Sequence, residues 1–299
     1  MSTMVKKIMV CFVPLLLLSC QKAAFQEDKI FVGQKIVSKD VLNQGHLTYL
    51  EYCVSCHGVK GDGKGISSKG LYPPPRNFTL GLFKFGTTLS GELPRDEDLM
   101  KIIRHGLNGS AMLPWDISDE RLYAVTQYIK TFAPTVWEQK DKALAPQVTL
   151  TPDPFVANKS YAVEKGKEVY HTTASCYTCH RAYVSYDELN ALSLKVNNQP
   201  AEADETIYQL KLQDSQYGVA MIPPDYTWHS VRSADTVEDI AIRLASGVGG
   251  TSMPSWKGVL DDEDIWATAY YVKSLINMKG QNTRDQLIQK IQRENLSRK

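Results

Sequence analysis

The 299-residue sequence predicts two copies of one helix-bearing domain arranged in tandem. Three observations predict it: an internal repeat, an apolar helical period that closes each copy, and one C-x-x-C-H motif in each. Cys53-Val54-Ser55-Cys56-His57 recurs as Cys176-Tyr177-Thr178-Cys179-His180. Downstream, Gly106, Gly109, Met112 and Trp115 match Gly247, Gly250, Met253 and Trp256 at one constant offset.

The elements follow in chain order. Lys6 and Lys7 precede an apolar run from Ile8 to Leu18, too short to span a bilayer as a helix. The run ends in Leu17-Leu18-Ser19-Cys20, which resembles the lipobox of bacterial lipoproteins. The resemblance implies a signal peptide over 1–19 and lipid attachment at Cys20. Residues 20–43 are mostly polar and lack a clear period, so they read as a membrane tether. Lipid would then be the anchor, to an inner or an outer membrane.

The first copy is expected over 44–133. It opens with a short helix from Gly45 to Tyr52 and closes near Glu120 to Phe132, with Leu122, Val125, Ile129 and Phe132 on one face. Residues 134–158 carry Pro134, Pro146, Pro152 and Pro154 without a sustained period and read as an extended linker. The second copy is expected over 159–280, with a helix from Gly166 to His171 and a closing helix near Glu263 to Ile276. It carries an insertion near 182–210, whose polar stretch Asn197 to Glu205 reads as a surface excursion. The tail over 281–299 is charged, with Leu287, Ile288 and Ile291 at helical spacing, and reads as a partly docked helix.

Composition excludes little. Hydrophobic residues make up 43% and charged residues 22%, and the formal net charge is +1. With no long basic run, nothing points to nucleic acid.

The cysteines carry the chemistry. C-x-x-C-H is the attachment motif of haem c: two thiols add across the porphyrin vinyl groups, and the adjacent histidine ligates the iron. Cys53, Cys56 and Cys176, Cys179 would hold two haems c, with His57 and His180 as proximal ligands. A redox dithiol would need a βαβ context that the sequence lacks. A four-cysteine zinc site would need both pairs in one domain, but the linker separates them. A sixth ligand makes each iron a pure electron carrier, and a methionine thioether supplies it while raising the potential. The repeat selects Met112 and Met253 over Met100 and Met221. His46, His105, His171 and His229 are not shared between the copies and read as surface or supporting residues.

On these motifs, and on the glycines Gly61, Gly63 and Gly65 after the first one, both halves resemble class I cytochrome c domains. Together they resemble the diheme cytochromes c of bacterial respiratory chains. The resemblance implies an all-α fold, each domain wrapped round one covalently bound haem. It also implies that a proline carbonyl accepts from the proximal histidine, with Pro73, Pro74 or Pro75 and Pro223 or Pro224 as candidates, and it suggests Arg76, Trp115 and Trp256 as residues that could meet haem propionates. The expected function is single-electron transfer at the periplasm, without substrate chemistry. Expected partners are a quinol-oxidising complex or dehydrogenase on one side, and a terminal oxidase or soluble cytochrome c on the other. The alternatives are a haem enzyme such as a diheme peroxidase, which needs one open iron, and a gas or redox sensor.

Overall fold

The structure, a computed structural model, describes residues 23–202 and 204–297. The leader and Cys20 lie outside the described residues. The first element among the described residues is a small hairpin: β1 (Lys29–Phe31) pairs antiparallel with β2 (Lys35–Val37), Ile30 opposite Ile36. Phe31, Val32 and Val37 are buried in the first core. The predicted tether over 20–43 is therefore too long, since the chain is part of the first folded unit from Lys29 onward. Three-residue strands are too short to register as a period, which is why the sequence reads as aperiodic there.

Helix α1 (Lys39–Tyr52) starts at Ser38, whose side chain accepts from the Val41 amide, and is followed by the single turn α2 (Val54–His57). After a long loop come α3 (Asp96–His105) and α4 (Asp119–Lys130), then α5 (Pro134–Trp137). The second unit repeats the plan with α6 (Lys159–His171), α7 (Tyr186–Asn197) within the insertion, α8 (Val237–Ser246) and α9 (Asp262–Ile276). Helix α10 (Asn282–Leu296) ends the chain. Among the described residues no helix is long and apolar enough to cross a membrane.

Each unit has its own apolar core, as the duplication requires. The frame of each is a crossed helix pair, α1 on α4 and α6 on α9. A glycine sits at each crossing for a steric reason. A Cβ on Gly45 would lie 2.1 Å from the Ala124 carbonyl oxygen, and one on Gly166 would lie 2.0 Å from that of Ala267. No side chain fits where two helix backbones approach so closely.

The linker opens with α5 and is extended only beyond it, and it is not free. Trp137, Val148 and Phe155 are buried. The Val148 amide donates to the Thr87 carbonyl at 2.7 Å, and the Trp266 indole donates to the Thr151 carbonyl at 2.9 Å. The segment straps both units, its few apolar residues spaced too irregularly to reveal this in sequence. The insertion is likewise folded: Tyr183, Val184, Leu189 and Ile207 join the second core, and the surface excursion is confined to the polar residues after α7. Helix α10 docks on α7 through buried Ile291, and Asn295 Oδ1 accepts from the Tyr186 amide at 3.0 Å.

Candidate haem-binding sites

In the first unit Cys53 and Cys56 lie at the junction of α1 and α2, and His57 is the last residue of that turn. Cys176, Cys179 and His180 occupy the corresponding turn after α6. The same hydrogen bonds shape both turns: the His57 amide donates to the Cys53 carbonyl at 2.9 Å, and the His180 amide to the Cys176 carbonyl at 2.8 Å. The tyrosines that follow each crossing glycine also act alike. Tyr49 Oη donates to the carbonyl of Gly58, and Tyr170 Oη to that of Arg181, in each case the residue after the histidine.

Among the described residues no disulfide joins the four cysteines of the two motifs. Burial pushes Cys53 and Cys176 each up to about 12, so neither is the low-pKa nucleophile of a redox dithiol. Among the described residues no three histidine, cysteine or carboxylate side chains gather as a metal cluster.

Both histidines are oriented through Nδ1, at 3.0 Å from the Arg76 carbonyl for His57 and 3.2 Å from the Pro224 carbonyl for His180. The expectation of a proline carbonyl fails in the first unit. The aromatic residues explain the register: Phe78 stacks on His57 at 4.5 Å and Tyr226 on His180 at 4.9 Å. Counted back from these rings, Arg76 and Pro224 are equivalent, whereas aligning the prolines shifts the first loop. The bond to Nδ1 fixes each ring and leaves Nε2 to face a metal. His180 Nε2 makes only a long 3.4 Å contact with Tyr226 Oη. Burial keeps both imidazoles neutral, His180 down to about 4, and neutral imidazole is the form that binds iron.

The methionine loops are duplicates in their hydrogen bonds as well as in sequence. Each follows a helix ended by a glycine at positive φ, Gly106 at 67° and Gly247 at 76°. The Leu107 amide donates to the Met112 carbonyl at 2.8 Å, and the Val248 amide to the Met253 carbonyl at 3.2 Å. Ser110 Oγ accepts from the Met112 amide and Thr251 Oγ1 from the Met253 amide, both at 3.2 Å. Trp115 and Trp256 close the loops by donating backbone amides to Ile103 and Leu244, both at 3.1 Å. Met112 and Met253 are half-buried against their respective cores. Met100 sits on α3 against the first core, and Met221 pairs with Gln213 in the loop that follows the insertion.

The remaining histidines have other work. His171 is fully buried, with Nδ1 at 2.8 Å from the Lys167 carbonyl and Nε2 accepting from the Tyr183 amide at 3.2 Å. His229 Nδ1 accepts from the Asp225 amide, His46 packs on Tyr128, and His105 is exposed.

The two units differ beyond the motif. The first folds its glycine loop back, the Gly63 amide donating to the His57 carbonyl at 2.9 Å and that of Gly65 to Cys56 at 3.1 Å. In the second the insertion takes that place: the Ala182 amide donates to the Ile207 carbonyl, and Lys211 Nζ reaches the Thr178 carbonyl.

Residues 40–129 match the family model of cytochrome c oxidase, cbb3-type, subunit III, and residues 163–275 match that of cytochrome c. The chain is also similar to a solved chain of the reducing HAO-like protein complex Kustc0457/Kustc0458 of Kuenenia stuttgartiensis. Identity is 30%, over 78% of this chain and 96% of that one, with a TM-score of 0.60. The chain belongs to the cytochrome c family. The cytochrome is all-α, carries two covalently bound haem c groups on tandem domains, and is an electron-transfer protein. No curated protein matches it.

Sequence reasoning missed Phe78 and Tyr226 as partners of the histidines. Their shared place two residues after the accepting carbonyl was the available signal.

Proposed function

We propose that the cytochrome is a periplasm-facing lipoprotein, anchored through Cys20, that passes single electrons between respiratory-chain proteins. His57 and Met112 would hold the first iron, and His180 and Met253 the second, with thioether attachment at Cys53, Cys56, Cys176 and Cys179. The observation that carries this reading is the duplication of the methionine loops, hydrogen bond for hydrogen bond. A bound haem c supplies a one-electron ferric–ferrous couple. Held by a histidine and a methionine, each iron would offer no open position to a substrate, and the methionine sulfur would favour the ferrous state.

The donor is a quinol-oxidising complex or a dehydrogenase, and the acceptor a terminal oxidase or a soluble cytochrome c. Similarity to a chain from a reducing HAO-like protein complex supports a second placement in the same role, as a fixed electron-transfer subunit of a larger complex. A redox titration of the purified protein followed by visible absorbance tests the reading. Two low-spin, high-potential steps unaffected by cyanide or carbon monoxide are expected. A low-potential haem that binds either ligand means an open iron and overturns it in favour of haem enzymology such as peroxide reduction.

A further inference from the structure

The turns that hold the two proximal histidines are built alike and differ in one charge. Asn77-Phe78-Thr79 in the first domain matches Asp225-Tyr226-Thr227 in the second. Asn77 Oδ1 accepts from the Thr79 amide at 3.0 Å and from Thr79 Oγ1 at 2.7 Å. Asp225 Oδ1 accepts from the Thr227 amide at 2.9 Å and from Thr227 Oγ1 at 2.7 Å. A side-chain amide and a carboxylate thus close the same turn. Each sits between the residue whose carbonyl orients the histidine and the ring that stacks on it. The side chain of Arg76, which precedes Asn77, leaves its turn for the Tyr217 ring, 3.9 Å from its centre. Its counterpart Pro224 carries no charge. Within the turns themselves the difference is Asn77 against Asp225.

The second domain is built round that difference. In the first, the Phe78 amide donates to the Gly61 carbonyl at 2.7 Å. In the second, the Tyr226 amide donates to Tyr183 Oη at 2.7 Å, and Tyr183 Oη donates on to Asp225 at 3.1 Å. A carbonyl has no proton to pass on, whereas a hydroxyl does. Burial, with the Asp225 charge adding to it, raises Tyr183 far above the usual phenol range and keeps that proton in place. Three donors therefore converge on one oxygen of Asp225. Asp225 is 5% exposed and Thr227 fully buried, whereas Asn77 is half-buried and Thr79 exposed. Among the described residues no ion pair includes Asp225. A buried charge without a counter-ion is poorly screened. Oxidation adds a positive charge to haem iron, so a fixed negative charge beside the proximal ligand favours the ferric state.

We propose that Asp225 makes the second haem the lower-potential one of the pair, so that the protein takes up one electron through the second domain and gives up one through the first. This rests on the two-haem reading above, and within it on the proximal histidines alone. Tyr183, from the insertion that the first copy lacks, holds the carboxylate in place. The insertion thereby acquires a purpose.

The test is a redox titration of the full-length protein with both haems attached, followed by visible absorbance, for wild type, Asp225→Asn and Asn77→Asp. Asn77 shows that asparagine makes this turn, so Asp225→Asn removes the charge and keeps the bonds. The lower midpoint is expected to rise while the upper one and the far-red methionine–iron band stay in place. The equilibrium constant for passing an electron from the lower to the upper haem then falls by on the order of tenfold. Asn77→Asp is expected to lower the upper midpoint, by less because water screens its half-buried site, and it serves where Asp225→Asn does not accumulate. Midpoints that stay fixed in Asp225→Asn, or a rise of the upper one, overturn the proposal. So does a fall of the lower midpoint in Asn77→Asp, which would place the low potential in the first domain. Carbon monoxide bound by reduced wild type overturns the methionine ligation instead, and the shift in Asp225→Asn still decides the role of Asp225.

Discussion

The backbone amide of Gly249 donates a 2.9 Å hydrogen bond to the carbonyl of Lys84 across the junction between the domains. Its counterpart runs the other way: the Asn108 amide donates to the Arg232 carbonyl at 3.3 Å, and Asn108 Nδ2 to Asp235 at 2.6 Å. Each methionine loop is thus braced by the opposite domain. On the proposed ligation, docking and iron binding become linked, because a loop that swings free carries its methionine with it.

Gly249→Val follows directly. A Cβ at Gly249 would sit 2.3 Å from the Phe83 carbonyl oxygen, so the junction must open. Overpacking of this kind costs about 1–3 kcal/mol. The expected outcome is an earlier onset of urea unfolding, and carbon monoxide binding by the reduced second haem, which the proposed ligation has wild type resist. Unchanged carbon monoxide resistance would mean that the Met253 loop holds without its brace.

Replacing the methionines separates the two sites. Met253→Ala and Met112→Ala are each expected to remove one share of the far-red methionine–iron absorption band while both haems stay attached. Each is also expected to open one iron to carbon monoxide. An unaltered spectrum in either variant would move that ligand elsewhere, with Met100 or Met221 the next to replace.

Much of this was legible because the duplication preserves residue types whose reasons are steric or chemical. Gly45 and Gly166 mark helix crossings, Gly106 and Gly247 mark positive φ, and the C-x-x-C-H turns mark themselves. What stayed hidden depended on distance in sequence. The Nδ1 acceptor at Arg76 could not be told from the three preceding prolines, since a backbone carbonyl leaves no side-chain signature. The hairpin around Phe31 is too short to show a period. Tyr217 reads as one aromatic in a polar stretch until the fold sets it between Arg76 and Gly249.

The lipid anchor is tested by fractionation. Cys20→Ala removes the thiol that the lipobox reading modifies, and it is expected to send the mature protein from the membrane fraction to the soluble one. Persistent membrane association of that variant would point to a protein partner or an uncleaved leader as the tether.

Asp96 sets the acid limit of the first domain. Its carboxylate pairs with Lys130 and Lys35 and accepts from Gln127 Nε2 at 2.7 Å. Lys130 is only 2% exposed, its ammonium lying 5.0 Å from the Trp137 ring centre. Burial opposes ionisation of Asp96, but the two ammonium groups outweigh it and hold the carboxyl below its usual value of 3.8. A depressed folded pKa gives stability that is fully present above the unfolded value and lost as pH falls through the folded one. Unfolding of the first domain is therefore expected to ease below about pH 4. Asp96→Asn leaves Lys130 buried without its counter-charge, and removing one partner of a buried pair costs about 3–5 kcal/mol at neutral pH. The variant should also lose part of the acid dependence, since no carboxyl remains there to titrate. Adding Lys130→Met removes the stranded charge and is expected to recover most of the loss in urea melts. If the double variant is no more stable than the single one, the cost comes from packing round Gln127 and Trp137 and not from the unpaired ammonium.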